Sequence, residues 1–249
     1  MRSNEPLDGL RVVLGADAIQ PPLTGIGHYA LQLARGLRAH PAVADIRYFA
    51  AHRWLDDPEQ ALVAHQVIAG ARRWLPFKSL AVVLYTELQQ RLWGRRLNRL
   101  ARCVVHAPNY IVPPCNQPTV ATVHDLSHLH YPQFHPRERV QYLERYLPRT
   151  LEQASRLITV SEFVRRELIS LLGVAAERVV AVHNGVDPAF QPYPAADVQP
   201  ALSRYGLQSD SYLLAVATLE PRKNLGRLAE AFALLPVALR SRYPLILVG

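Results

Sequence analysis

The 249-residue chain is 49% apolar and 19% charged, the balance of a folded globular protein, which excludes a disordered chain. Its 28 Lys and Arg against 20 Asp and Glu give a formal net charge of +8, which favours anionic partners: nucleotide phosphates, anionic lipid headgroups or nucleic acid. No apolar run reaches the ~18 residues of a transmembrane helix, and Cys103 and Cys115 form neither a CxxC pair nor a metal-ligand spacing.

The opening stretch MRSNEPLDGL carries no apolar signal-peptide core, so a cytoplasmic location is expected. RVVLGAD (11–17) reads as a buried strand that ends in a turn. GHYALQLARGLRAH (27–40) follows with Tyr29, Ala30, Leu33, Ala34 and Leu37 at the spacing of one helix face. DIRYFAA is the next strand. Residues 72–102 form the most basic segment, with Leu84, Leu88, Leu92, Trp93, Leu97 and Leu100 on a rough stripe and Arg91, Arg95, Arg96 and Arg99 turned to water. Two readings fit it: an ordinary helix with a solvated basic face, or an amphipathic helix on an anionic membrane surface. A nucleic-acid partner is not expected, because no helix-turn-helix, zinc-finger or aromatic-basic signature is present.

ARCVVHA, PTVATVHD, RLITVSE and RVVAVHNG complete the strands, with a helix over 164–173 that stops at Gly173. Strands alternating with helices predict βαβ units and a mostly parallel α/β sheet. Residues 187–210 turn rich in Pro, Ala and polar side chains, as a linker does. The pattern then restarts as strand, helix and strand. The expected division is a first domain over 1–190, a linker over 191–208 and the start of a second domain over 209–249.

Polar residues gather where these strands end: Gly25 and Gly27, His106, His124 with Asp125, Ser161 with Glu162, and Asn184 with Gly185. Glycines at a helix start let a ligand approach the backbone, and the helix N-terminus presents amides to an anion; a plain tight turn is the other reading. Ala30 stands where a dinucleotide fingerprint needs its last glycine, which argues against a nicotinamide site. His124 and Asp125 close a buried strand, with His128 and His130 nearby. His124 could bond a substrate hydroxyl, serve as a metal ligand or be a satisfied structural histidine. Ser161 reads as an N-cap.

ATLEPRKN (217–224) sets Arg222 and Lys223 before the helix LGRLAEAFALL, with Asn224 as its expected N-cap. Two cations there oppose the helix dipole, and a planar fork beside a point charge suits a diphosphate.

Taken in order, GIGHY, TVHDLSHLHYP, ITVSEFVRREL, VHNGVDPAF and LEPRKNLGRLAEAF resemble the retaining glycosyltransferases of the GT-B fold, family 4, and bacterial polysaccharide mannosyltransferases within it. The resemblance runs over nearly the whole chain and implies two Rossmann-like domains. The first takes a saccharide or lipid-linked acceptor, and the second a nucleotide-sugar, GDP-mannose being the first candidate. By the same resemblance Arg222 and Lys223 hold the donor diphosphate, Gly25 and Gly27 line the donor or acceptor loop, and His124 with Asp125 forms the catalytic pair. No cofactor and no metal are expected, because cationic side chains take the metal's place. Ala217 and Thr218 stand where the family often has Gly-Arg, which removes one phosphate cation.

A Rossmann-type domain needs on the order of 100 residues, more than follow position 208. The family's Glu-x7-Glu motif is therefore expected beyond Gly249, and the chain is expected to be a fragment, poorly active alone. The alternatives are a non-catalytic acceptor-binding or membrane-associated fragment, and a GT-B sugar-nucleotide epimerase.

Overall fold

The computed structural model describes residues 9–50, 53–63 and 80–249. The chain forms two units, one of Met1–Leu126 with Gln141–Asn184 and one of Ser127–Val140 with Gly185–Gly249.

The first unit is built on a seven-stranded sheet in the order β3-β2-β1-β4-β5-β6-β7. Its strands are β1 (Leu10–Gly15), β2 (Val43–Ala50), β3 (Arg53–Leu55), β4 (Val104–Ala107), β5 (Thr119–Val123), β6 (Arg156–Thr159) and β7 (Val179–Ala181). Every pairing is parallel except β2 with β3. The order reverses at β1 and β4, and in open α/β sheets ligands bind outside the strands' carboxyl ends at such a switch point. Six strands correspond to apolar runs in the sequence; β3 is too short to give one.

Helices cover both faces. Val13 of β1 packs with Leu97, Cys103 and Val105, while its neighbour Leu14 turns to Ala30, Leu31 and Ala34 of helix α1 (Gly25–Ala39). The buried side of α1 is Gly27, Ala30, Leu31 and Ala34, so Leu31 joins the expected stripe, and Leu33 and Leu37 lie at its margin.

Helix α2 (Leu80–Asn98) corrects the expected basic segment, whose residues 72–79 lie outside the described part. Its described leucines do not share a face. Leu92 and Trp93 are adjacent and so lie about 100° apart around the helix. Trp93 and Leu97 face the sheet, Trp93 stacking on Phe49 at 4.6 Å and 9°, whereas Leu88 and Leu92 are 56% and 41% exposed. Gly94 explains the tight approach: a Cβ there would lie 1.9 Å from the Pro114 carbonyl oxygen. That fit outweighs the ~1 kcal/mol helix cost of glycine.

Helix α3 (Arg137–Gln153) and helix α4 (Glu162–Leu172) follow. Leu143, Leu147 and Leu151 of α3 and Val164 and Leu168 of α4 bury against Ala121, Val123 and Leu157. Ser161 caps α4, its Oγ accepting from Val164 N–H at 3.2 Å. That hydrogen bond accounts for the serine structurally.

In the second unit, β8 (Leu213–Val216) pairs in parallel with β9 (Leu245–Val248). Within the expected linker, Ala195–Ser203 forms helix α5. Pro194 stands at its N-cap, and Pro200 lies inside it, where its missing N–H costs one helical hydrogen bond. Helices α6 (Leu225–Ala233) and α7 (Val237–Arg242) connect β8 to β9, a βα-type crossover. No helix among the described residues is long and apolar enough to cross a membrane.

Candidate active site

Period-two alternation along the strands decides which polar groups meet. His106 of β4 is in register with Leu14, which faces α1. Thr122 of β5 shares the parity of Val120, the register partner of His106. Both side chains are buried, His106 at 6% and Thr122 at 0% exposure. Tyr29 of α1 reaches them. Its hydroxyl lies 3.0 Å from Thr122 Oγ1, and Thr122 Oγ1 lies 3.0 Å from His106 Nε2. Burial pushes the His106 pKa down to about 4 and raises that of Tyr29, whose bond to Thr122 opposes the rise. Both are neutral at pH 7.

The next residue but one after Thr122 is His124, at the carboxyl end of β5. Its Nε2 is 2.8 Å from the Pro108 carbonyl oxygen. A carbonyl only accepts, so Nε2 carries the proton and in the neutral ring Nδ1 carries the lone pair. Tyr29 stands perpendicular to the imidazole, at 4.9 Å and 89°, and Tyr110 lies at 5.9 Å and 66°.

Tyr110 itself has φ 61°, a left-handed conformation costing a non-glycine residue about 1 kcal/mol. Two hydrogen bonds hold it there. Its N–H donates to the Thr122 carbonyl at 2.9 Å, and its hydroxyl accepts from Asp125 N–H at 3.2 Å. The Pro108–Tyr110 loop after β4 thus fixes the backbone that presents His124 and Asp125. Strain of this kind gathers at functional sites.

The glycines divide. A Cβ on Gly27 would sit 2.8 Å from the Ala18 carbonyl oxygen and 2.9 Å from Leu23 Cδ2, and its N–H donates to the Thr24 cap. Packing therefore accounts for Gly27. Nothing lies within 4 Å of a Cβ on Gly25, which is exposed at the first turn of α1. Of the two expected loop residues, Gly25 is the one whose space is open to a ligand.

His128 is buried and His130 exposed, and Ser127 Oγ lies 2.9 Å from His135 Nε2. Among the described residues no three His, Cys, Asp or Glu side chains gather to hold a metal ion.

Arg222 and Lys223 belong to the second unit and occupy one 3-10 turn, Pro221–Lys223, between β8 and α6. Arg222 Nε donates to Glu220 Oε2, and this bond holds the Glu220 carboxyl below the usual carboxylate range. The guanidinium is thereby oriented but shared. Asn224 departs from the expected cap. Its backbone is left-handed, φ 54°, which turns the side chain away from the first-turn amides, so it makes no cap bond. Its carbonyl still accepts from Leu228 N–H at 3.2 Å.

Sequence reading found His124, Asp125, His106 and the glycines as polar residues at strand ends. It missed Tyr29 and Thr122, whose positions look like ordinary helix-face and strand residues, and Tyr110, whose role depends on φ.

Comparison with known proteins agrees with this architecture. The Glycosyltransferase Family 4 model matches residues 23–190. The O-antigen chain mannosyltransferase B of Escherichia coli is 32% identical over 244 residues, 96% of this chain and 64% of that protein. The serotype-specific mannosyltransferase WbdA of Escherichia coli is 32% identical over 151 residues, 57% of this chain and 18% of that protein. The chain thus spans less than two thirds of the length of these relatives. The crystal structure of Anabaena HepE in complex with UDP superposes with a TM-score of 0.54 at 14% identity, covering 96% of this chain and 69% of that one, and shares the fold. With a family match over two thirds of its length, on a sheet whose switch point carries the polar cluster, the chain belongs to glycosyltransferase family 4.

Proposed function

We propose that the protein transfers a mannosyl group, with retention of configuration, from a nucleotide-diphosphate sugar to a saccharide or lipid-linked acceptor in cell-surface polysaccharide synthesis. The observation that carries this reading is His124, held at the carboxyl edge of the sheet by the Pro108 carbonyl and two tyrosines in a family 4 framework. Mannosyltransferase relatives supply the sugar, and GDP-mannose is the first donor to test.

In this reading the acceptor oxygen bonds to the anomeric carbon as the bond from that carbon to the phosphate oxygen breaks. The electron pair leaves with the diphosphate, which also takes the acceptor's proton. Arg222 and Lys223 stabilise the charge that develops on the leaving group. His124 Nδ1 is suited to accept a hydrogen bond from a hydroxyl of the transferred sugar, Gly25 leaves room at the α1 amides, and Asp125 follows His124 in the chain.

Replacing Arg222 and Lys223 together by alanine is expected to weaken GDP and GDP-mannose binding by roughly 10- to 100-fold, the loss of two charge-assisted contacts. Calorimetric titration at fixed salt measures it, with UDP-sugar as comparator. Unchanged affinity would sink the clamp.

One observation favours a second partner for the same enzyme. On α2, Leu88, Arg91, Leu92 and Arg95 are exposed on one face, and Arg99 follows. Arg91 is shared with Glu87 at 3.9 Å. Leucines interleaved with arginines suit an anionic lipid surface and a peripheral site at the cytoplasmic face of the membrane. Trp93 takes no part, because it faces the sheet. Wild-type protein is expected to sediment with phosphatidylglycerol vesicles at low salt, and Arg91→Glu/Arg95→Glu/Arg99→Glu to stay in solution. Absence of wild-type binding would remove the lipid partner and leave the transferase reading untouched.

A further inference from the structure

We propose that Tyr29 is a positioning residue for His124, tying the glycine-bearing start of α1 to the imidazole so that the two keep one geometry. The inference rests on the reading of His124 as a sugar-contacting group. The hydrogen bond from Nε2 to the Pro108 carbonyl at 2.8 Å keeps its geometry only while the imidazole plane is held. The perpendicular Tyr29 ring at 4.9 Å bears directly on that plane. Tyr110 backs it from another side at 5.9 Å.

The Tyr29 hydroxyl is what holds that ring in place. It bonds Thr122 Oγ1, which also meets His106 Nε2, so side chains from α1, β4 and β5 form one polar chain beneath the site. A hydroxyl supplies one proton and accepts at its lone pairs, so the chain is satisfied only when all three members are present. Apolar filler would pack this interface without specifying it. A buried polar chain fixes the register of helix on sheet, because any slip leaves its members unbonded. Burial keeps both Tyr29 and His106 neutral, which holds the chain constant across the physiological range. Tyr29 lies four residues after Gly25, one helical turn along the same face. Displacing the first turn of α1 therefore moves the ring that orients His124.

The test combines nitrogen-15 NMR of the imidazoles with steady-state kinetics on the intact protein. His124→Ala identifies the His124 signals. Wild type is expected to show His124 protonated at Nε2. Tyr29→Leu, which removes the ring, is expected to shift His124 toward a mixture of tautomers and to lower kcat roughly tenfold, with KM for GDP-mannose changed less than about threefold. Tyr29→Phe and Thr122→Val lose the same hydrogen bond and keep the ring, so both are expected to fall between wild type and Tyr29→Leu. Should Tyr29→Leu not fold, those two variants decide the matter. Wild-type His124 signals in all folded variants overturn the proposal. A wild-type protein that transfers no sugar overturns the functional reading instead, and the NMR arm still decides whether Tyr29 positions the ring.

Discussion

His124→Ala is expected to lower sugar transfer by roughly 10²- to 10⁴-fold, the range for losing a positioned polar group at the reacting centre, while GDP affinity stays within about twofold. The two readouts separate because the residues lie on different parts of the chain. His124 follows β5 in the first unit, whereas Arg222 and Lys223 lie in the turn after β8 in the second. A group that touches only the transferred sugar contributes to the barrier and little to nucleotide binding, so kcat falls and the nucleotide dissociation constant does not. Asparagine gives the sharper comparison. His124→Asn keeps a donor for the Pro108 carbonyl but replaces the Nδ1 lone pair with a differently placed oxygen. Partial recovery over alanine is the expected result. Full activity in His124→Ala, measured as radiolabelled mannose passed to an oligosaccharide acceptor, would refute the role of this side chain and leave Arg222 and Lys223 as separate candidates.

The strands were legible because parallel strands buried on both faces are written as nearly unbroken apolar runs, as in VVLG, VVHA and TVATV. The site was legible where a polar residue interrupts such a run or ends it. His106 and His124 both stand out in that way. What could not be read is whatever depends on neighbours far along the chain. Tyr29 and Thr122 are separated by 93 residues, and in sequence the first reads only as a helix-face residue and the second only as a strand residue. Gly25 and Gly27 look equivalent in GIG, yet one faces the Ala18 carbonyl and the other open space. The stripe on α2 failed for a related reason. Leucines at 88 and 92 and apolar side chains at 93 and 97 are all close in sequence, but only the position of β1 and β4 decides which side is inside. Asn224 failed locally: a residue type common at N-caps took a left-handed backbone, and its side chain lost the geometry a cap needs.

Acidification is expected to destabilise the first unit through His106. The ordinary imidazole value, 6.5, applies to the unfolded chain, whereas burial holds the folded value at about 4. Above pH 6.5 neither state binds the proton, and the full stability is present. Between 6.5 and 4 the unfolded chain takes up a proton that the folded protein refuses, so each pH unit lowers folding stability by about 1.4 kcal/mol. The loss amounts to about 3 kcal/mol by pH 4 and grows no further from this group below it. Charging His106 in place would also set a cation at 6% exposure against the Thr122 hydroxyl, a neutral partner. Urea denaturation of wild type and His106→Gln at pH 7, 5.5 and 4.5 isolates the effect. The glutamine keeps a polar group for Thr122 and cannot titrate, so its stability is expected to fall less steeply over this window. Parallel pH profiles for the two proteins would show that His106 protonates as readily folded as unfolded. The same comparison links stability to the site, because the polar chain that His106 anchors runs through Thr122 to Tyr29 and so to the imidazole of His124.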